Sequence, residues 1–270
     1  MMSSHKRIKF DVILNRCASL ILKKAYESKS GHIGGSLSLS TLLVPLMYDP
    51  KFNQAKHKIC ISKGHASLAL YSILHDLCIN SKPYETYCSM QSDFHGHINK
   101  EAFPESIIAS TGSLGHGLPI AIGYAYHMHK INKEVTTYCF IGDGEFQEGS
   151  ILESLMLLKE LSKDINLKII IDCNGGTSSL KEGESLRIAA EQLTSTGNII
   201  DTIALNNTEA LDAYSNILYS PGLQVIACQV PKGMGINDIM KEPSRWHAGL
   251  PRDPQELNML LSKISFKQFQ

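Results

Sequence analysis

Apolar residues at Val12, Ile13, Leu14, Cys17, Leu20, Ile21 and Ala25 recur at helical spacing over residues 10–28, and the glycine-bearing turn SGHIGG at 30–35 ends that run. A helix thus delivers a glycine-rich loop. Further along, β-rich apolar runs at 58–61, 136–141, 167–173, 199–205 and 223–230 alternate with helical stretches at 66–79, 117–131, 150–161 and 208–219. Strands alternating with helices predict βαβ units, hence an α/β fold with a mostly parallel β-sheet flanked by helices. A terminal helix is expected over 254–264, with Asp253 as its N-cap and Pro254 at its first position. No repeat, low-complexity tract or composition shift divides the chain, so a single domain over 1–270 is the expected organisation.

Charge narrows the partners. The 26 basic residues balance the 26 acidic ones and form no run beyond pairs such as Lys23-Lys24, so neither nucleic acid nor an anionic membrane is expected as a partner. The opening MMSSHKRIKF has no apolar signal-peptide core, and no apolar run reaches the roughly 18 residues of a spanning helix. A cytoplasmic location follows as the expectation. The cysteines at 17, 60, 78, 88, 139, 173 and 228 form no CxxC pair and read as reduced thiols rather than disulfides or a zinc site.

In an open α/β sheet, ligands bind beyond the carboxyl ends of the strands. The segment TTYCFIGDGEFQEGSILESL places a strand before Gly142-Asp143-Gly144 and a helix after Gly149. Gly144 permits close backbone approach to an anion, and Asp143 offers a hard oxygen to a divalent cation. A dinucleotide fingerprint would need glycine at 147, which is Gln147. One strand later, IIIDCNGG carries Asn174 just past the strand, and its separation of 31 positions from Asp143 suits one helix and one strand. Asp143 and Asn174 can then face one Mg²⁺ (or Ca²⁺ or Mn²⁺), with the Gly176 carbonyl as a third protein ligand. Either residue alone would read as an Asx-turn closing a strand.

GDGEFQEG followed by DCNG resembles the thiamine diphosphate motif of transketolases. The likeness extends through SGHIGG (30–35), SKGHAS (62–67), HGHIN (95–99), TGSLGHG (111–117) and WHAGLP (246–251), in the family's order and most like enzymes whose two halves are separate chains. It implies a thiamine diphosphate-binding fold of the diphosphate-binding (PP) type. Carried over residue by residue, it makes His65 and His247 contacts of the cofactor diphosphate, with His32 near both diphosphate and substrate. His97 would meet the hydroxyl end of the donor sugar. Gly112, Ser113 and Leu114 would lie against the cofactor rings, and Gly144, Glu145 and Asn174 join the cofactor contacts. Glu148 and Glu153, favoured in any case near a helix start, would link two active sites across a subunit interface. The remaining histidines, His5, His57 and His75, match no motif and read as surface or packing residues; His127 and His129 cannot share a helix face.

The resemblance further implies ketol transfer from a ketose or ketose phosphate to an aldose with thiamine diphosphate and Mg²⁺. The glutamate that activates the cofactor belongs to the family's pyrimidine-binding domain, so a separate pyrimidine-binding (C-terminal) subunit is expected, in an α₂β₂ assembly. The sequence departs from the family at His116 (usually glutamine), Gly175-Gly176-Thr177, LNNT (205–208) and Ile98 (usually proline). Two other readings stay open: another thiamine diphosphate enzyme half, such as a deoxyxylulose-phosphate synthase-like or specialised biosynthetic ketotransferase, and a non-catalytic binding subunit.

Overall fold

The computed structural model describes residues 4–79, 84–161, 165–175 and 200–267. Five strands, β1 (His57–Ile61), β2 (Thr136–Gly142), β3 (Leu167–Cys173), β4 (Ile200–Ala204) and β5 (Gln224–Gln229), form one sheet in the order β1-β2-β3-β5-β4, every neighbour parallel. The expected parallel sheet is therefore present; residue 199, expected to begin the fourth strand, lies outside the described residues.

Alternation along the strands sorts the core into two layers. Ile59, Ile61, Tyr138, Phe140, Ile170, Ile226 and Cys228 face α1 (Ser4–Ser28), α2 (Ile33–Met47), α3 (Ser67–Asp76) and a later helix, Thr208–Leu218. Cys60, Cys139, Ile141, Ile169, Ile171, Val225 and Ala227 face α4 (Gly117–Lys130) and α5 (Gly149–Leu161). Thr208–Leu218 is α6, followed by α7 (Asn237–Met240) and α8 (Pro254–Ser262). Asp253 caps α8 by accepting the Glu256 N–H at 2.7 Å, as its position before Pro254 predicts.

Sequence periodicity overlooked α2. Every one of its residues is buried, so it has no polar face to produce an amphipathic rhythm, and its serines and Pro45 do not read as helix formers. Its hydroxyls turn inward instead: Ser40 donates to the Leu37 carbonyl one turn back, and Ser38 Oγ lies 3.1 Å from the Gly35 carbonyl. Because α2 starts at Ile33, His32 becomes its N-cap residue, and the His32 carbonyl accepts the Ser36 N–H at 3.0 Å. The glycine-rich loop thus aims a helix N-terminus at the carboxyl edge of the sheet.

Candidate active site

The loops leaving β1, β2, β3 and β5 share one edge of the sheet because all four strands run in the same direction. They carry Lys63 and His65, Asp143, Asn174, and Lys232. The N-cap of α2 adds His32, and a 3₁₀ turn at Arg245–His247 adds His247. Together with Gly112, Leu114, Gly144, Glu145, Glu148 and His97 they line one cleft.

Three imidazoles cluster there. The ring centroid of His32 is 5.0 Å from that of His65 and 5.8 Å from that of His247, and the His65 and His247 centroids are 6.0 Å apart. Lys232 Nζ lies 2.9 Å from His247 Nδ1. An ammonium only donates, so Nδ1 accepts and Nε2 carries the ring proton. The turn bearing His247 is anchored to α8: Glu256 accepts from Arg245 Nη2 at 2.6 Å and from the Arg252 N–H at 2.7 Å.

Burial, reinforced by neighbouring cations, pushes the His65 imidazole down to about 2 and His247 down to about 4. His32 is lowered for the same reasons, and Lys232 falls to about 8 through burial first and the Lys63 charge second. His32 Nδ1 is buried without a hydrogen-bond partner among the described residues. Basic groups crowded together so that each disfavours the others' protons fit an anion, whose charge would relieve them all. A diphosphate therefore suits this wall of the cleft.

A carboxylate also lines the cleft. Asp143 is 5% exposed, and its two oxygens accept the N–H groups of Gly144 (2.9 Å) and Gly175 (3.2 Å). Burial and then the charge of Asp172 raise its pKa, against the opposing influence of Lys63. Asp143 and Asn174 follow neighbouring strands in register, Gly142 pairing with Asp172, which brings the two residues to one end of the sheet. A carboxylate and an amide oxygen are hard donors of the kind Mg²⁺ takes. Among the described residues no three histidine, cysteine or acidic side chains form a metal cluster, and the expected third ligand, Gly176, lies outside the described residues.

Glu145 lines the cleft wall, but its carboxylate is engaged by its own chain. It is 1% exposed and accepts from Ser62 Oγ (2.5 Å), the Gly115 N–H (2.9 Å) and the Gly142 N–H (2.8 Å). Three loops are joined at one side chain. Gly115 has φ +80°, and a Cβ there would come within 2.6 Å of the Glu148 side chain, so the close approach needs glycine.

His97 sits exposed at the rim. Tyr71 on α3 brackets it from behind, donating to the His97 carbonyl at 2.8 Å and accepting the Asn99 N–H at 2.9 Å. Gly112 faces the His97 ring, where a Cβ would sit 3.4 Å from Cδ2. Ser113 is exposed and does not line the cleft; Glu153 is exposed on α5, also outside it. Of the histidines outside the motifs, His57 packs among Phe52, Tyr138 and Tyr219, and His75 stacks on Tyr84.

Sequence reasoning passed over Lys63, Asp172 and Lys232. Lys63, which lines the cleft, forms an ion pair with Asp172, the two side chains 2% and 0% exposed. Both lie inside motifs that the sequence shows, beside Gly64-His65 and two residues before Asn174. Lys232 has only its place after the last strand to mark it.

Residues 12–187 match the family described as transketolase, thiamine diphosphate binding domain. The chain is 31% identical over 253 residues to one of the subunits of the apulose-4-phosphate transketolase of Phocaeicola vulgatus, covering 87% of this chain and 86% of that protein. It is 27% identical over 271 residues to human transketolase, covering 94% of this chain and 42% of that one, so it spans less than half of that relative's length. The transketolase of Campylobacter jejuni superposes with a TM-score of 0.74 at 23% identity, over 98% of this chain and 44% of that one, a likeness of fold.

Proposed function

Because the chain belongs to the transketolase family, through its thiamine diphosphate-binding domain, we propose that it is one half of a two-chain transketolase. It would move a two-carbon ketol unit from a ketose phosphate to an aldose. The observation that carries this is the cleft itself, whose lining joins the basic His65, His247 and Lys232 to Asp143 and Asn174 at the ends of two adjacent parallel strands.

In this reading, Asp143, Asn174 and the Gly176 carbonyl hold Mg²⁺, and His65, His247 and Lys232 hold the diphosphate. The Gly112-Ser113-Leu114 loop and Gly144 bring backbone against the rings. When bound, thiamine diphosphate supplies the electron sink for breaking and remaking the sugar carbon–carbon bond. His247 Nε2–H donates to an anionic oxygen. His32, beside the other two imidazoles, reaches both anion and substrate, and His97 at the rim orients the hydroxyl end of the donor. Imidazoles kept neutral by burial can accept a proton from a sugar hydroxyl and return it.

The relative from P. vulgatus is named as one subunit of a transketolase for apulose-4-phosphate, which supports a phosphorylated sugar substrate and a second, pyrimidine-binding chain here. Ile120 on α4 and Leu152, Met156 and Leu157 on α5 are exposed, the last two one turn beyond Glu153, and leave apolar surface on these helices. We assign that surface, with Glu148 and Glu153, to the subunit contact of an α₂β₂ assembly. No helix among the described residues is long and apolar enough to cross a membrane, and cytoplasmic action as a single domain completes the reading.

The test is reconstitution. The chain alone should show no ketol transfer and should gain it, with a rise in molecular mass, when mixed with a pyrimidine-binding partner, thiamine diphosphate and Mg²⁺. Full activity from the chain purified free of any partner overturns the two-chain reading.

A further inference from the structure

We infer that Ser38 is a positioning residue that sets the side-chain amide of Asn174, turning its nitrogen inward and its carbonyl oxygen to the cleft. The inference deepens the proposed function, since it rests on Asn174 being a metal ligand there.

Asp172 and Asn174 are two residues apart at the end of β3, so both project to the same face of the sheet, the face that α2 covers. Ser38, buried on α2, meets both. Its Oγ lies 2.8 Å from Asp172 Oδ2 and 3.3 Å from Asn174 Nδ2. It also lies 3.1 Å from the Gly35 carbonyl. On the far side of Asp172 stands the buried Lys63 ammonium.

The orientation follows from counting protons. An ion-paired carboxylate offers only acceptors, and so does a backbone carbonyl. Whichever of Asp172 and Gly35 receives it, the single hydroxyl proton of Ser38 is committed away from Asn174, and the shorter, charge-assisted bond to Asp172 is the stronger candidate. The oxygen of Ser38 can then only accept from Asn174. A flipped amide would set its own oxygen against a hydroxyl oxygen with no proton to give. Amide orientation is always assigned from such partners, and here the chain Lys63, Asp172, Ser38, Asn174 leaves one assignment. The amide oxygen is turned to the cleft that Asn174 shares with Asp143. Lys63 thus acts on the metal site at three removes.

A double-mutant cycle with Mn²⁺ as the probe tests this. Mn²⁺ affinity in the presence of thiamine diphosphate is measured by electron paramagnetic resonance titration for the wild type, Ser38→Ala, Asn174→Asp and the double variant, with the metal-free unfolding midpoint of each. Ser38→Ala is expected to weaken Mn²⁺ by about tenfold to a hundredfold, the usual cost of losing a partner that orients a ligand. In the Asn174→Asp background the same substitution should cost less than about twofold, because a carboxylate presents an oxygen either way up. Ser38→Cys keeps the volume but supplies a poor acceptor, and should repeat the pattern if Ser38→Ala fails to fold. Equal losses in both backgrounds, or no loss in the first, overturn the orienting role. A wild type that binds no Mn²⁺ with the cofactor brings down the metal site itself; that failure shows in the first arm, before any substitution.

Discussion

The carboxylate of Glu145 accepts the hydroxyl of Ser62 at 2.5 Å across 83 residues of sequence. Ser62 follows β1 and Glu145 follows β2, and the Gly115 N–H from the loop before α4 joins the same oxygen. Burial raises the pKa of this carboxylate, and its donors oppose the rise. The cleft is built around this contact as much as around the residues that face it.

Glu145→Gln should therefore destabilise the cofactor-free chain. Each carboxylate oxygen serves backbone or hydroxyl donors, so an amide nitrogen in either place faces a donor. One or two buried groups left unpaired cost about 1–3 kcal/mol each, which corresponds to an unfolding midpoint lowered by roughly 2–4 °C per kcal/mol for a chain of this size. Calorimetry of wild type and variant measures it; an unchanged midpoint would mean that the three loops are held by other contacts.

Asp143→Asn should separate binding from stability. Loss of the only carboxylate among the proposed ligands should weaken metal-dependent thiamine diphosphate binding on the order of a hundredfold. The metal-free protein should change little in stability. A neutral amide relieves the burial and the Asp172 repulsion that raise the Asp143 pKa, but its nitrogen meets one of the two N–H donors, Gly144 or Gly175, that the carboxylate accepts. Cofactor titration with and without Mg²⁺, alongside thermal melts, checks both halves.

Cofactor binding should take up protons near pH 8. Burial and Lys63 hold Lys232 down to about 8, so a sizeable fraction is neutral there without an anion, and a bound diphosphate would restore its charge. Calorimetric titrations in two buffers of different ionisation heat give the proton count, and Lys232→Met should lower it. The acid side runs the other way. His65 and His247 are depressed to about 2 and about 4, so below about pH 6.5 the unfolded chain binds protons that the folded chain refuses. Metal-free stability should fall as pH drops from about 6.5 toward 4, less steeply in His65→Ala.

His97→Ala and His65→Ala should act on different steps. His97 is exposed at the rim, whereas His65 belongs to the half-buried basic cluster. The first should lower kcat/KM for the sugar by about tenfold or more with little change in cofactor affinity, in the range typical of a lost acid–base or orienting group. The second should chiefly raise the cofactor dissociation constant. Steady-state kinetics with the partner present decide it, and equal effects on both quantities for both variants would erase the division of roles.

The chain's own order of residues determined the parallel α/β architecture and the places where chemistry gathers. Strand and helix rhythms, the glycines beside His32, His65 and His97, and the spacing from Asp143 to Asn174 are local signals, legible because each motif lies within a few residues. The helix α2 was not legible, because a segment buried on every side carries no contrast between faces. Nor were the partners that hold the site in shape. Whether Glu145 faces a ligand or Ser62, whether Lys63 is a surface cation or the buried counterion of Asp172, and which way the Asn174 amide turns all depend on distances across 83, 109 and 136 residues of sequence. Packing α2 and the loops against the sheet removes water from these groups, and without water each proton must find a partner within the fold.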